Sequence, residues 1–288
     1  MEELLEQTRE RERERLLGYE MALNTAAAEF ARPLELIEWN RHFLQDHLER
    51  HGREYSPQMV QDSLRDIHSA VEGMNRLVDH FTQLCMCVCG SVPVQKVGLD
   101  LASVLRSLCA DHEAIHRAIG VRLTLQYEPG DLWYTVADPV LAERVLLHLL
   151  GYSLRACSSG EQVVFALDRR RGELLLTVQN NGRSVTRQQA ASAFVPSGPD
   201  VQPNRPIGQL GTGLLLCGEY CRMLGWKIDL TPQQKGSRIT IVIPERWDLP
   251  TNIRLHSPAA GPQAVSRVAL LQELRSIPGL ENLPLESE

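Results

Sequence analysis

Two periodicities divide the chain. From residue 23 the apolar positions fall on alternating steps of four and three: Leu23, Ala27, Phe30, Leu34, Ile37, Leu44 and Leu48, with Arg41 as an interruption. After HGREYSP the series resumes at Val60, Leu64, Ile67, Val71, Met74, Val78, Phe81 and Cys85 without a missed step. An apolar period of about 3.5 residues predicts long helices packed at shallow angles. Ser56 and Pro57 give the second helix its start, a hydroxyl cap followed by a proline at the first helical position. A hairpin over 23–90 follows, with one narrow apolar stripe. Such a hairpin cannot cover its own stripe. Pairing with a second copy into a four-helix bundle is the expected solution, and packing on the chain's own C-terminal half is the alternative. Residues 1–22 carry Glu6/Arg9, Glu10/Arg13 and Glu12/Arg15 at helical spacing and read as a charged, solvated helix.

Beyond residue 98 the pattern changes. LDLASVLRSLCADHEAIHRAIG reads as helix and VRLTLQYEP alternates as a strand. Asp138 and Pro139 open a further helix, DPVLAERVLLHLLGYSLRAC. EQVVFALDRR and GELLLTVQN form two strands around a tight turn. GQLGTGLLLC begins another helix after three glycines in six residues, and WKIDLTPQQKGSRITIVIP closes with a strand pair. Helices alternating with mainly antiparallel pairs predict an α+β chain, its second part (98–244) a two-layer α/β sandwich. Residues 245–288 hold several prolines and one short amphipathic piece, VSRVALLQEL, and are expected to be a poorly ordered tail.

Composition narrows the function. A net charge of −6 lacks the clustered basic face that nucleic acid requires. The longest apolar runs, such as VLLHLL, fall far short of the ~20 residues that span a bilayer. The N-terminus is charged from Glu2 onward, unlike a signal peptide. Seven cysteines, an odd number, fit a reducing compartment, so a cytoplasmic location is expected. Cys85, Cys87 and Cys89 alternate at a helix end, a spacing that does not match paired zinc ligands, and no metal site is assigned.

The order of these elements and four short boxes resembles the transmitter core of bacterial sensor histidine kinases: a dimerisation hairpin followed by a histidine-kinase/Hsp90-like ATPase domain. The family's first box runs His, Glu, apolar, Arg, Thr, Pro, Leu. Here it is AEFARPL, with Ala28 at the phosphoacceptor position and Glu29 where the family's proton acceptor stands. A methyl group offers no nucleophile. The second box becomes HLLGYSLR. His148 replaces its first asparagine, Tyr152 the asparagine that holds Mg2+ in the family, and Arg155 the phosphate-contacting lysine. A phenol is a poor ligand for a hard cation.

The third box, Asp-x-Gly-x-Gly, becomes Asn180, Asn181, Gly182, Arg183, Ser184, so the adenine contact loses its charge. The fourth keeps Gly211 and Gly213 ahead of a helix, where backbone N–H groups could meet phosphate, but Leu215 replaces its last glycine. Phe194-Val195-Pro196 keeps half of the aromatic lid motif, and Ser197 replaces its second Phe.

The resemblance implies a two-component signalling protein whose vestigial ATP site is Tyr152, Arg155, Asn180, Gly182, Gly211 and Gly213. Weak or absent binding of ATP and Mg2+ is expected, and the chain is expected to act as a homodimeric pseudokinase scaffold for a response regulator or an active histidine kinase. The alternative is a divergent kinase binding ATP through Asn180, Arg155 and the 208–214 turn. It would need another acceptor, in trans or among His42, His47, His68 and His80, which read as surface residues on charged helices.

Overall fold

A computed structural model describes residue 27 and residues 29–46, 57–131, 133–194, 210–245, 255–256 and 266–281. Helix α1 covers 29–46, and α2 (Pro57–Val88) is 32 residues long. Strand β1 (Val97–Asp100) follows, and the Asp100 carboxylate caps α3 (Leu101–Leu108) by accepting from the Ala102 N–H. The helix expected from Leu99 therefore starts at Leu101. It breaks at Cys109–Asp111 and resumes as α4 (His112–Ile119), which Gly120 ends at φ 70°.

After β2 (Arg122–Gln126) and β3 (Tyr134–Ala137) comes α5 (Pro139–Ala156). Its cap Asp138 accepts from the N–H groups of Val140 and Leu141, with proline at the first position. Strands β4 (Gln162–Arg170) and β5 (Glu173–Asn180) turn through Arg171 and Gly172, both left-handed at φ 53° and 78°, as a two-residue hairpin turn demands. The chain continues through α6 (Arg187–Ala191), α7 (Thr212–Leu224), β6 (Lys227–Pro232), β7 (Ser237–Pro244), β8 (Leu255–His256) and α8 (Arg267–Leu274).

The main sheet runs β2-β4-β5-β7-β6, with β2 and β4 parallel and every other pair antiparallel. A smaller sheet runs β3-β1-β8. Alternate residues of the central strands (Val163, Phe165, Leu167; Leu174, Leu176, Val178; Ile239, Ile241, Ile243) are buried on one face. They share one core with Leu146, Leu149 and Leu150 of α5 and Leu214, Leu216 and Cys217 of α7. This is the expected mixed α+β architecture, a helical region followed by a sandwich with helices on one face. Each fully buried Leu, Ile or Phe contributes roughly 1.5–3 kcal/mol.

The structure adds a buried face to α2 and corrects the expectation for the tail. First, α2 buries Ser63, Ala70, Leu77, Leu84, His80 and Cys87, a line offset from the predicted stripe. Leu64, Val71 and Val78 are exposed, while Val60, Ile67, Met74, Phe81 and Cys85 are half-buried. Leu34 of α1 is likewise exposed; Leu23 and Leu48 lie outside the described residues. The hairpin thus uses a second, less apolar face, which packs on α7 and the tail. Second, residues 266–281 are folded. Leu270, Leu274, Ile277 and Leu280 are all buried in the main core, so the amphipathic piece is an integral helix.

Among the described residues no helix is long and apolar enough to cross a membrane. The predicted helix over 1–22 lies outside them, as does Ala28.

Candidate site between hairpin and sandwich

Helix α5 aims one face at the hairpin. His148, Gly151, Tyr152 and Arg155 follow the i, i+3, i+4, i+7 spacing of one broad helix face. Of these, His148 and Arg155 meet the same partner, whereas Tyr152 is engaged by the sheet. Opposite them sits Glu273, a carboxylate only 4% exposed. Its Oε1 accepts from Arg155 Nη2 at 2.6 Å, and its Oε2 lies 2.9 Å from His80 Nε2 and 3.1 Å from His148 Nδ1. Arg155 Nη1 also donates to the Glu273 carbonyl at 3.3 Å. Gly151 leaves the room: a Cβ there would run into the carboxylate. Burial alone would push Glu273 up, but Arg155, His80 and His148 outweigh it and hold the carboxyl well below its usual range.

His80 is buried rather than on the surface, correcting the expectation, whereas His42 and His68 are exposed and His47 lies outside the described residues. Burial pushes the His80 imidazole down to about 3, against the pull of Glu273, so the ring is neutral. Arg76 Nη1, which can only donate, lies 3.5 Å from His80 Nδ1. That assigns the ring proton to Nε2, facing Glu273. The two imidazoles meet edge to face with centroids 4.6 Å apart. His148 also stacks on Tyr220, and its Nε2 is buried without a hydrogen-bond partner.

Thr212, the first residue of α7, extends the network to α1. Its Oγ1 lies 3.0 Å from His80 Nδ1 and 3.3 Å from Glu29 Oε2. Glu29 is the predicted proton acceptor left without a histidine. Burial raises its carboxyl from the ordinary 4.5 to about 7, against Arg76 and the Thr212 bonds. Its Oε1 is buried with no partner among the described residues. An ionised Glu29 takes the single Thr212 proton; a protonated Glu29 can donate to Thr212 and release that proton to His80.

The other predicted residues form a second cluster. Ser237 Oγ accepts from Asn180 Nδ2 at 3.0 Å and lies 3.3 Å from the Tyr152 hydroxyl. Asn180 Oδ1 accepts from the Gly182 N–H at 3.3 Å. Gly182 is required because a Cβ would overlap the Ala156 carbonyl, which accepts from the Arg183 N–H. Gly211 caps α7 at φ 83°, and Gly213 faces His80 and His148. Ser184, at the lost glycine, is built into the turn: it donates to the Gln234 carbonyl and accepts from the Gly236 N–H. Leu215 is buried, and Val195, Pro196 and Ser197 lie outside the described residues.

His80, His148 and Glu273 bring three ligand atoms within 4.8 Å of one another, the donor set of a metal centre. Two guanidinium groups share that space, Arg155 on the same carboxylate and Arg76 beside His80. A buried dication would be repelled by both, so the set suits a hydrogen-bonded anion position better. Sequence reasoning missed Glu273, Thr212 and Ser237. The signal for Glu273 was the amphipathic VSRVALLQEL; the other two are small polar residues without one.

Residues 137–246 match the family model of histidine kinase-, DNA gyrase B- and HSP90-like ATPases. That stretch is similar to the ATPase domains of this family. The chain is also 31% identical over 183 residues to the alginate biosynthesis sensor protein KinB of Pseudomonas aeruginosa, covering 62% of this chain and 30% of that protein. Sensor protein CopS of Pseudomonas syringae pv. tomato is 26% identical over 146 residues, 50% of this chain and 28% of that one. The chain therefore spans less than a third of either relative.

Among solved structures, histidine kinase ThkA in complex with response regulator protein TrrA superposes with a TM-score of 0.61 at 18% identity, over 84% of this chain and 66% of that one. Histidine kinase AdeS of Acinetobacter baumannii gives 0.52 at 15% identity, over 74% and 95%. These two share the fold. Over these stretches the chain is similar to sensor histidine kinases, and the Glu273 cluster lies on the α5 face that carries the second box.

Proposed function

We propose that this histidine-kinase-like chain is a non-catalytic, homodimeric scaffold in two-component signalling, which holds a response regulator or pairs with an active kinase. One observation carries the reading. The polar groups at the family's nucleotide and Mg2+ positions are engaged by the chain itself: His148 and Arg155 by Glu273, and Tyr152 and Asn180 by Ser237. A Mg-ATP complex would have to break those bonds, and Tyr152 would offer it a phenol in place of an amide oxygen.

Ala28 supports the same reading, since it leaves Glu29 with no nucleophile to activate. The exposed line of Leu64, Val71 and Val78 supports a partner helix pair along the hairpin, the arrangement of a four-helix bundle. The ThkA–TrrA complex supports a response regulator as partner. A divergent kinase would need an acceptor; His80 is too buried to serve as one.

Incubation with Mg-ATP and mass spectrometry for phosphohistidine tests the reading. No phosphorylated histidine on the protein is expected, and stoichiometric labelling would overturn it.

A further inference from the structure

Glu273 reaches the site on a segment that touches both parts of the molecule. Along α2, Ser69 donates to Glu281 at 3.2 Å, Arg76 Nε donates to Ser276 Oγ at 3.1 Å, and His80 meets Glu273 at 2.9 Å. These partners fall in reverse order, so 273–281 runs antiparallel to α2. On the domain side the Ser266 N–H donates to Glu143 at 2.6 Å, Arg155 grips the Glu273 carboxylate and carbonyl, and Gly151 admits it. Leu270, Leu274, Ile277 and Leu280 are buried in the main core.

A carboxylate held by one guanidinium and two imidazole N–H groups occupies the kind of charge-assisted cradle that takes phosphate oxygens. Here the cradle is formed by positions 148 and 155 of the ATPase domain together with His80 of the hairpin. Neither part could close it alone.

We propose that residues 266–281 are a self-ligand: an autoinhibitory strap whose Glu273 carboxylate stands in for a phosphate group and locks the hairpin onto the ATPase domain. The strap rests on the scaffold reading only for the family positions of the site. While it is seated, an anion from solution is excluded and the hairpin is held in one position. When it leaves, Arg155, His80 and His148 lose their partner together, and the hairpin loses three of its contacts with the tail. The strap is thus a two-state element whose release would both open the cradle and free the hairpin.

Two single substitutions in the full-length chain test this, read by hydrogen exchange and by titration with Mg-free ATP and with tripolyphosphate. Gly151→Ala is favourable to the helix itself and clashes only with the strap. Exchange in 266–281 and in 69–80 of α2 should accelerate together at least tenfold, with β4, β5 and β7 unchanged. Glu273→Ala should bind tripolyphosphate or Mg-free ATP at least tenfold more tightly than the unmodified chain.

An α2 that keeps its protection while 266–281 loosens, or no loosening in either segment, would overturn the strap. So would unchanged anion affinity in a Glu273→Ala protein whose strands stay protected, because the carboxylate would then not be occupying an anion site. Phosphohistidine formation would sink the scaffold reading and leave these outcomes unaffected.

Discussion

Glu29→Gln isolates the proton that joins α1 to the site. In the folded chain the Glu29 carboxyl titrates at about 7 instead of 4.5, chiefly through burial. A raised carboxyl favours the protonated form, so its contribution is fully present below pH ~4.5 and is lost as pH rises through about 7. Relative to an unshifted carboxyl, the raised value costs the fold about 1 kcal/mol at pH 5.5 and about 3 kcal/mol at pH 8.5. Glutamine resembles the protonated acid and can donate to Thr212 at any pH. The variant should therefore be the more stable protein at pH 8.5, and its advantage should grow by about 2 kcal/mol from pH 5.5 to 8.5. His80 titrates in the opposite sense, its depressed value removing stability as pH falls below ~6.5, but it does so in both proteins and cancels in the difference. Urea unfolding followed by tryptophan fluorescence at the two pH values measures the quantity. Parallel pH profiles for variant and parent would refute the buried, protonated Glu29.

Three further outcomes are expected. Replacing Ile67 and Val71 with Asp should turn the proposed dimer into a monomer in sedimentation, since each charge in the proposed seam would cost several kcal/mol; a persisting dimer would place the interface elsewhere. Leu274→Ala should cost about 2–4 kcal/mol, because Leu274 is fully buried in the main core; an unchanged urea midpoint would mean that the tail does not contribute to the fold. Ser237→Ala should cost about 1–3 kcal/mol by leaving the Tyr152 hydroxyl and Asn180 amide unpartnered, with sheet exchange near Asn180 as the readout. A Ser237→Ala protein as stable as its parent would refute that bridge.

What could be read from the sequence follows from what periodicity records. The sheet strands and α5 announced themselves because alternate Val, Leu and Ile face one side and Asp138-Pro139 marks a helix start. Box order located Tyr152, Arg155 and Asn180 on neighbouring elements. The hairpin misled in a specific way. Its strongest apolar line, through Leu64, Val71 and Val78, is the face left open by a single chain, whereas the face against the ATPase domain carries Ser63, Ala70 and His80. That face also carries Leu77, Leu84 and Cys87, but polar and small residues interrupt its apolar line in the first half of the helix. His80 looked like a surface residue because Arg76 and Asp79 flank it, yet Arg76 is itself tied to the tail through Ser276. Glu273 could not be foreseen for a related reason: its meaning depends on Arg155, His80 and His148, which lie 118 to 193 residues away.

The central claim is that the chain's own side chains hold the position of the nucleotide. Calorimetric titration of the unmodified, full-length protein with Mg-ATP tests it most directly. The account predicts no binding tighter than about millimolar, roughly −4 kcal/mol. A dissociation constant of tens of micromolar, roughly −6 kcal/mol, would contradict it, because Glu273, Tyr152 and Leu215 would then leave the site open to its family ligand.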